Sequence, residues 1–191
     1  MIASDLRLDI MQRDIEERAV LTIARRQPLA VDLRELISAI RLASDIERIG
    51  DLAKNISKRA VAINGQFQPP QRAVVGLDHM SRMVQAQLKD VLDAYARSDE
   101  QKAMAVWARD NEIDALYTSL FRELLTYMME DPRNITFCTH LLFCAKNVER
   151  IGDHTTNIAE TIHYLVTGAA PDLNRPKHET TNIQVDAVAG G

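Results

Sequence analysis

The five residues Glu47-Arg48-Ile49-Gly50-Asp51 recur as Glu149-Arg150-Ile151-Gly152-Asp153, 102 positions later. Ala43/Ala145, Asn55/Asn157 and Ile56/Ile158 repeat at the same offset. A repeat of this size means a chain built from two copies of one small unit, so the fold must be two similar modules side by side. A second pair of segments repeats at an offset of 105: Asp5 and Asp9 answer to Asp110 and Asp114, and Leu8, Met11 and Ile15 answer to Ile113, Leu116 and Leu120.

Apolar residues recur at helical spacing throughout, and no stretch shows the strict alternation of a half-buried strand. Aromatics make up only 5% of the chain, in a background of Leu, Ile, Ala, Glu and Arg, which favours helices. The reading is therefore all-α, with five helices. The first runs from Met1 to Arg26 and stops before Pro28. The second runs from an N-cap at Asp32 to Ile63, the third from Arg72 to Arg97, the fourth from Asp99 to Met129 under a Ser98 cap, and the fifth from Ile135 to Thr167, ending at Gly168. Domain bounds follow: residues 1–65 form the first repeat, 66–71 a linker, 72–168 the second repeat, and 169–191 a polar, aperiodic tail expected to be disordered. The third helix has no counterpart in the first copy. The two-helix half should therefore expose an apolar stripe, which favours dimerisation.

Successive residues of a helix advance by about 100°. Glu47, Asp51 and Asn55 then form a ladder opposite the apolar stripe of Leu42, Ile46, Ile49 and Ile56, and Glu149, Asp153 and Asn157 repeat it. Asp5 with Asp9, and Asp110 with Asp114, make shorter ladders of the same i, i+4 kind. Most charged helix faces are simply solvated. Four such pairs, each costing a helix roughly 0.2–0.5 kcal/mol through like-charge repulsion, instead suggest two helices of each copy joining their carboxylates around a hard, oxygen-preferring cation. Iron, manganese, magnesium and calcium fit; zinc fits less well, lacking His or Cys at its usual spacing. On this reading the acids lie on the outer face. Gly50 and Gly152 mark close helix approach, His154 sits at the surface, and His79, His140 and His163 are structural.

Several function classes are disfavoured. The net charge of −4 argues against nucleic-acid binding. No apolar run suggests membrane insertion and no signal pattern is present, so a cytoplasmic location is expected. Cys138 and Cys144, six residues apart on one helix, point to different sides and suit a reducing compartment. No nucleophile–base pair or phosphate-cradling glycine loop is present. A di-metal carboxylate enzyme would pair Glu with His at i+3, where this chain has Gly50 and Gly152. A metal-free helical adaptor is the other alternative.

Taken together, these residues resemble the PhoU family of phosphate-specific transport accessory proteins. The segments that carry the resemblance are Arg25-Arg26-Gln27-Pro28 leading into Asp32-Leu33-Arg34, then Ile46 to Asp51, Asp90 to Arg97, Leu125 to Asp131, and Leu142 to Ala145 leading into the second Glu-Arg-Ile-Gly-Asp. It covers about Met1 to Gly168. The resemblance implies a tandem repeat of two antiparallel three-helix bundles, the first lacking its first helix here, and a homodimer. It also implies a non-enzymatic negative regulator of phosphate uptake and phosphate-starvation signalling. Such a regulator contacts the ATP-binding subunit of the phosphate ABC transporter and a phosphate-sensing histidine kinase. The family's metal motifs fall on Asp5, Asp9, Glu47, Asp51, Asp110, Asp114, Glu149 and Asp153, with Asn55 and Asn157 following them.

Overall fold

The computed structural model describes residues 2–63 and 71–171, with side chains placed for residues 6–63 and 73–171. The linker expected at 66–71, apart from Gln71, and the tail from residue 172 onward lie outside them. Six α-helices and one short 3-10 turn make up the described chain, which has no strand: α1 (Ile2–Arg26), α2 (Ala30–Ile63), α3 (Gln71–Arg97), α4 (Glu100–Ala108), α5 (Asp110–Glu130), the turn Pro132–Asn134, and α6 (Ile135–Thr167).

The all-α reading holds, and the ends of α1, α3 and α6 fall within about a residue of those expected. Gly168 closes α6 in the left-handed region at φ 77°, where a residue without Cβ pays no steric cost. Two caps differ. Asp32 lies inside the first turn of α2. Asp99, and not Ser98, caps α4, its carboxylate accepting the Lys102 N–H at 2.9 Å, while Ser98 takes a positive φ of 51°.

The main departure is at Arg109. The single helix expected from Asp99 to Met129 is two helices, divided where Arg109 adopts φ −89° and ψ −1°. Neither glycine nor proline marks this break. It is supported from α3, where the buried Gln87 amide donates to the Arg109 carbonyl at 3.4 Å. That carbonyl lies at the break, so the contact offsets part of its cost. The break also opens a fresh helix start at Asp110, so α5 alone corresponds to α1.

The two long repeated helices, α2 and α6, pack against each other antiparallel. Arg59 lies over the Phe143 ring at 4.1 Å, Asp45 meets Asn157, and Arg34 lies against Gly168. These pairs are symmetric about Gly50 and Gly152, so a pseudo-two-fold relates the copies through the middle of the pair. Gly50 is closely approached: a Cβ there would fall 2.4 Å from Leu8 Cδ1. Gly152 is roomier, its nearest neighbour being Ile113 Cγ2 at 3.5 Å.

The core is unequally shared. Each of its three clusters draws on α6: Ile158 and Ile162 meet Val91 and Val106; Phe137 and Leu141 meet Leu120 and Leu124; Val148 and Ile151 meet Met80 and Ile113. Among its described side chains, α1 contributes one fully buried apolar residue, Ala19. Leu6, Ile10, Met11, Val20 and Leu21 stay exposed, which agrees with the apolar stripe expected of the two-helix half. Cys138 and Cys144 are buried free thiols, and burial raises the pKa of each.

Candidate metal centre

In the second copy, α5 and α6 bring three carboxylates together. Asp110 sits in the first turn of α5, Asp114 one turn later, and Asp153 faces them from α6; one oxygen of each lies within 4.8 Å of the others. The Arg109 break is what allows this. It places the buried Asp110 at a helix N-terminus, where unpaired N–H groups and the helix dipole favour negative charge. Gly152 lies beside the cluster, where a Cβ would meet Asp110 Oδ1 at 3.8 Å, an ordinary contact distance.

Glu149 adds a fourth carboxylate one turn before Asp153. Its side chain is only 12% exposed. Oε1 accepts the Lys146 ammonium at 2.7 Å, while Oε2 is buried without a hydrogen-bond partner. An oxygen in that state is costly unless something completes it. Partial burial pushes the Asp153 carboxyl up to about 6, helped by the charges of Glu149 and Asp110. Crowded carboxylates with an unsatisfied oxygen beside them are the donor set a hard cation needs. The expectation of an outer-face ladder is corrected here for two acids: Asp110 is buried and Glu149 nearly so, while Asp153 and Asn157 stay exposed and Asp114 is half-buried.

The first copy places its acids differently. Glu47 is 15% exposed, much like Glu149, but Asp51 is taken up by Lys54 at 2.8 Å. Arg48 lies 3.6 Å from Glu47 and 3.9 Å from Asp51. Position 156, equivalent to Lys54, is threonine, and its hydroxyl bonds the Gly152 carbonyl. Asp9 is half-buried on α1, and the Asp5 side chain lies outside the described residues.

The two amides do not join the triad. Asn55 is exposed, and Asn157 donates to Asp45 on α2 at 3.4 Å. Asp45 also lies 2.9 Å from His154 Nδ1. His154, expected at the surface, is therefore half-buried in a link between the copies. The sequence reading passed over Asp45, and also the lysines that decide which carboxylates are neutralised. The Lys54/Thr156 exchange at the repeat offset was the available signal.

Comparison with known proteins agrees with this architecture. The family model for the PhoU domain matches residues 1–60 and 77–162. A phosphate-specific transport system accessory protein PhoU homolog of Rhizobium meliloti is 58% identical over 182 residues, covering 95% of this chain and 76% of the relative. Its counterpart in Caulobacter vibrioides is 53% identical over 177 residues, covering 93% and 76%. The crystal structure of PhoU from Pseudomonas aeruginosa superposes with a TM-score of 0.83 at 42% identity, covering 86% of this chain and 78% of that one. The phosphate transport system regulatory protein PhoU from Streptococcus pneumoniae gives 0.81 at 30% identity, covering 90% and 80%. Among the described residues no helix is long and apolar enough to cross a membrane. The repeat, the antiparallel pairing of its long helices and these matches agree: the chain belongs to the PhoU family.

Proposed function

We propose that this chain is a non-enzymatic regulator of phosphate uptake, working in the cytoplasm as a negative regulator of the phosphate-starvation response. It acts through protein contact with the ATP-binding subunit of the phosphate ABC transporter and with a phosphate-sensing histidine kinase. The observation that carries the reading is the run of relatives, more than half identical over nearly the whole chain, that bear the name of phosphate transport accessory protein.

Asp110, Asp114 and Asp153 hold a metal ion in the second copy, with Glu149 Oε2 as a further oxygen donor. An oxygen-rich carboxylate set without His or Cys suits iron(III), manganese or magnesium ahead of zinc. When bound, the ion neutralises crowded carboxylates and ties α5 to α6, fixing the surface those helices present to a partner. Support comes from the convergence of the three carboxylates and the orphaned Glu149 oxygen. In the first copy the acids at the equivalent sequence positions are Asp5, Asp9, Glu47 and Asp51, and Lys54 already neutralises Asp51.

The test is alkaline phosphatase activity in phosphate-rich medium, in a host lacking its own PhoU and expressing this chain. Repression by the wild type, weakened in Asp110→Asn/Asp153→Asn at equal protein level, is the expected result. Persistently high activity with soluble wild-type protein would sink the regulatory reading. Full repression by the double variant would show that the second-copy metal is dispensable for it.

A further inference from the structure

Away from the metal centre, the seam between α2 and α6 holds a cavity of about 390 Å³. One wall is α2 at Arg41, Ser44 and Asp45, the other is α6 between Asn157 and Tyr164, and Ala170 and Pro171 line its edge. The hydroxyls around it depart from the rest of these two helices. Ser57, Thr155, Thr156 and Thr167 each donate to the carbonyl four residues back, the usual local partner of a helical hydroxyl. Ser44 and Thr161 do not. Among the described residues neither of these hydroxyls has a partner within the chain, and nor does that of Tyr164. Thr161 is only 6% exposed, yet its oxygen is not sealed in the core, so it opens to the cavity. A hydroxyl in that position is completed by water or by a ligand.

The charges are kept apart in the same way. Arg41 and Asp45 stand at i and i+4 on α2, a spacing at which opposite charges pair, yet among the described residues Arg41 forms no ion pair. Its guanidinium lies over the Tyr164 ring, 5.3 Å from the centroid. Asp45 is held from α6 instead: His154 Nδ1 lies 2.9 Å and Asn157 Nδ2 3.4 Å from Oδ1, which leaves Oδ2 over. Glu160 is held similarly, its Oε1 accepting the Trp107 indole N–H at 3.0 Å, which leaves Oε2 over. Each acid is thus anchored through one oxygen and presents the other. A cavity that separates a guanidinium from two carboxylates, each fixed by a different neighbour, is preorganised for a ligand carrying both signs. Two acids against one guanidinium oppose a bare anion such as inorganic phosphate, and a neutral sugar would leave the separated charges uncompensated. The positions equivalent to Ser44, Glu160 and Thr161 across the pseudo-two-fold are Lys146, Lys58 and Arg59, so the site belongs to one end of the seam.

We propose that this cavity binds a small zwitterion, a free α-amino acid. Its carboxylate sits on Arg41, with the Ser44, Thr161 and Tyr164 hydroxyls as further donors, and its ammonium sits on the free oxygens of Asp45 and Glu160. Neither the metal centre nor the regulatory role enters this site.

The test is titration of the full chain with each proteinogenic amino acid in turn, with inorganic phosphate and glucose as controls. The readout is the emission of Trp107, the only tryptophan in the chain and a direct partner of Glu160. At least one amino acid should bind saturably and neither control should. Arg41→Gln and Glu160→Gln each remove one charge, and the second keeps an amide oxygen for Trp107, so both should retain wild-type helicity by circular dichroism. Each should weaken that amino acid by at least about tenfold in Kd, the scale of a lost hydrogen bond to a charged group. The same compound without its carboxylate, or without its ammonium, should bind the wild type as poorly. No binding by any amino acid, binding of phosphate or glucose instead, or a Kd unchanged in either variant would overturn the proposal.

Discussion

The two copies share a sequence motif and a helix pairing, yet they differ in how their acids are neutralised and how much core they own. In the first copy a lysine takes the aspartate of the motif, Lys54 on Asp51. In the second a lysine takes the glutamate, Lys146 on Glu149. That shift leaves Asp153 facing Asp110 and Asp114 from across the groove. It teaches that a duplicated motif fixes where carboxylates stand, while single residues one turn away fix which of them remain available. The core follows a similar rule. Ile113 is fully buried and its equivalent Leu8 only half-buried, and Leu124 answers to Ala19.

The largest effect should come from that inequality of core. Ile113→Ala is expected to cost about 2–5 kcal/mol, as large-to-small changes at buried sites do. Leu8→Ala should cost less than half as much, because the site is already partly wet. Denaturant unfolding of the two variants compares them, and equal losses would mean that α1 is buried in solution by something absent from the isolated chain.

Next in size is the metal response. Asp153→Asn should lower manganese affinity at least about tenfold at the second copy, in line with losing one charged ligand. Thr156→Lys, which imports the first copy's lysine beside Asp153, should weaken it in the same direction. Calorimetric titration with manganese reads both, and unchanged binding by Thr156→Lys would break the idea that the lysine position separates the two copies.

The third effect depends on pH. Without metal, the Asp153 carboxyl is raised from 3.8 to about 6. The folded state therefore binds more protons than the unfolded state between those values. The contribution of Asp153 to stability falls as pH rises through that window, the opposite of the usual carboxylate behaviour. Thermal midpoints of metal-free protein from pH 4 to pH 7 should fall more steeply for wild type than for Asp153→Asn; parallel curves would remove Asp153 from the account.

The smallest effect concerns the paired glycines. Gly152→Ala should stabilise metal-free protein by up to about 1 kcal/mol, the helix propensity difference, since its surroundings are at ordinary contact distance. Gly50→Ala should gain less, because Leu8 must move aside. Equal gains in melting experiments would show that α1 yields readily.

Much of this was legible in the sequence. Repeat, helix class and most helix ends follow from spacing and from residues such as Pro28 and Gly168, whose conformational limits act locally. The Arg109 break was not legible, because what supports it is an amide on α3, 22 residues away in sequence. The acid ladders were legible as ladders. The burial of Asp110 and Glu149 within them was not, since angle along one helix says nothing about a neighbouring helix closing over it. Likewise the Asp45–His154 link depends on how α2 and α6 meet, which neither helix encodes alone.

The placement of α6 bears on how the chain is made. Every core cluster includes α6, and α6 is the last of the six helices to leave the ribosome. Until residues 135–167 emerge, α2, α3 and α5 carry apolar faces with no final partner. The contacts of α2 with α6 then close across roughly a hundred residues of chain and those of α3 across roughly seventy, the kind of non-local pairing that slows folding and prolongs exposure of sticky surface. Completion of the core therefore waits on α6, and until it is made the earlier helices hold apolar faces without their last strut.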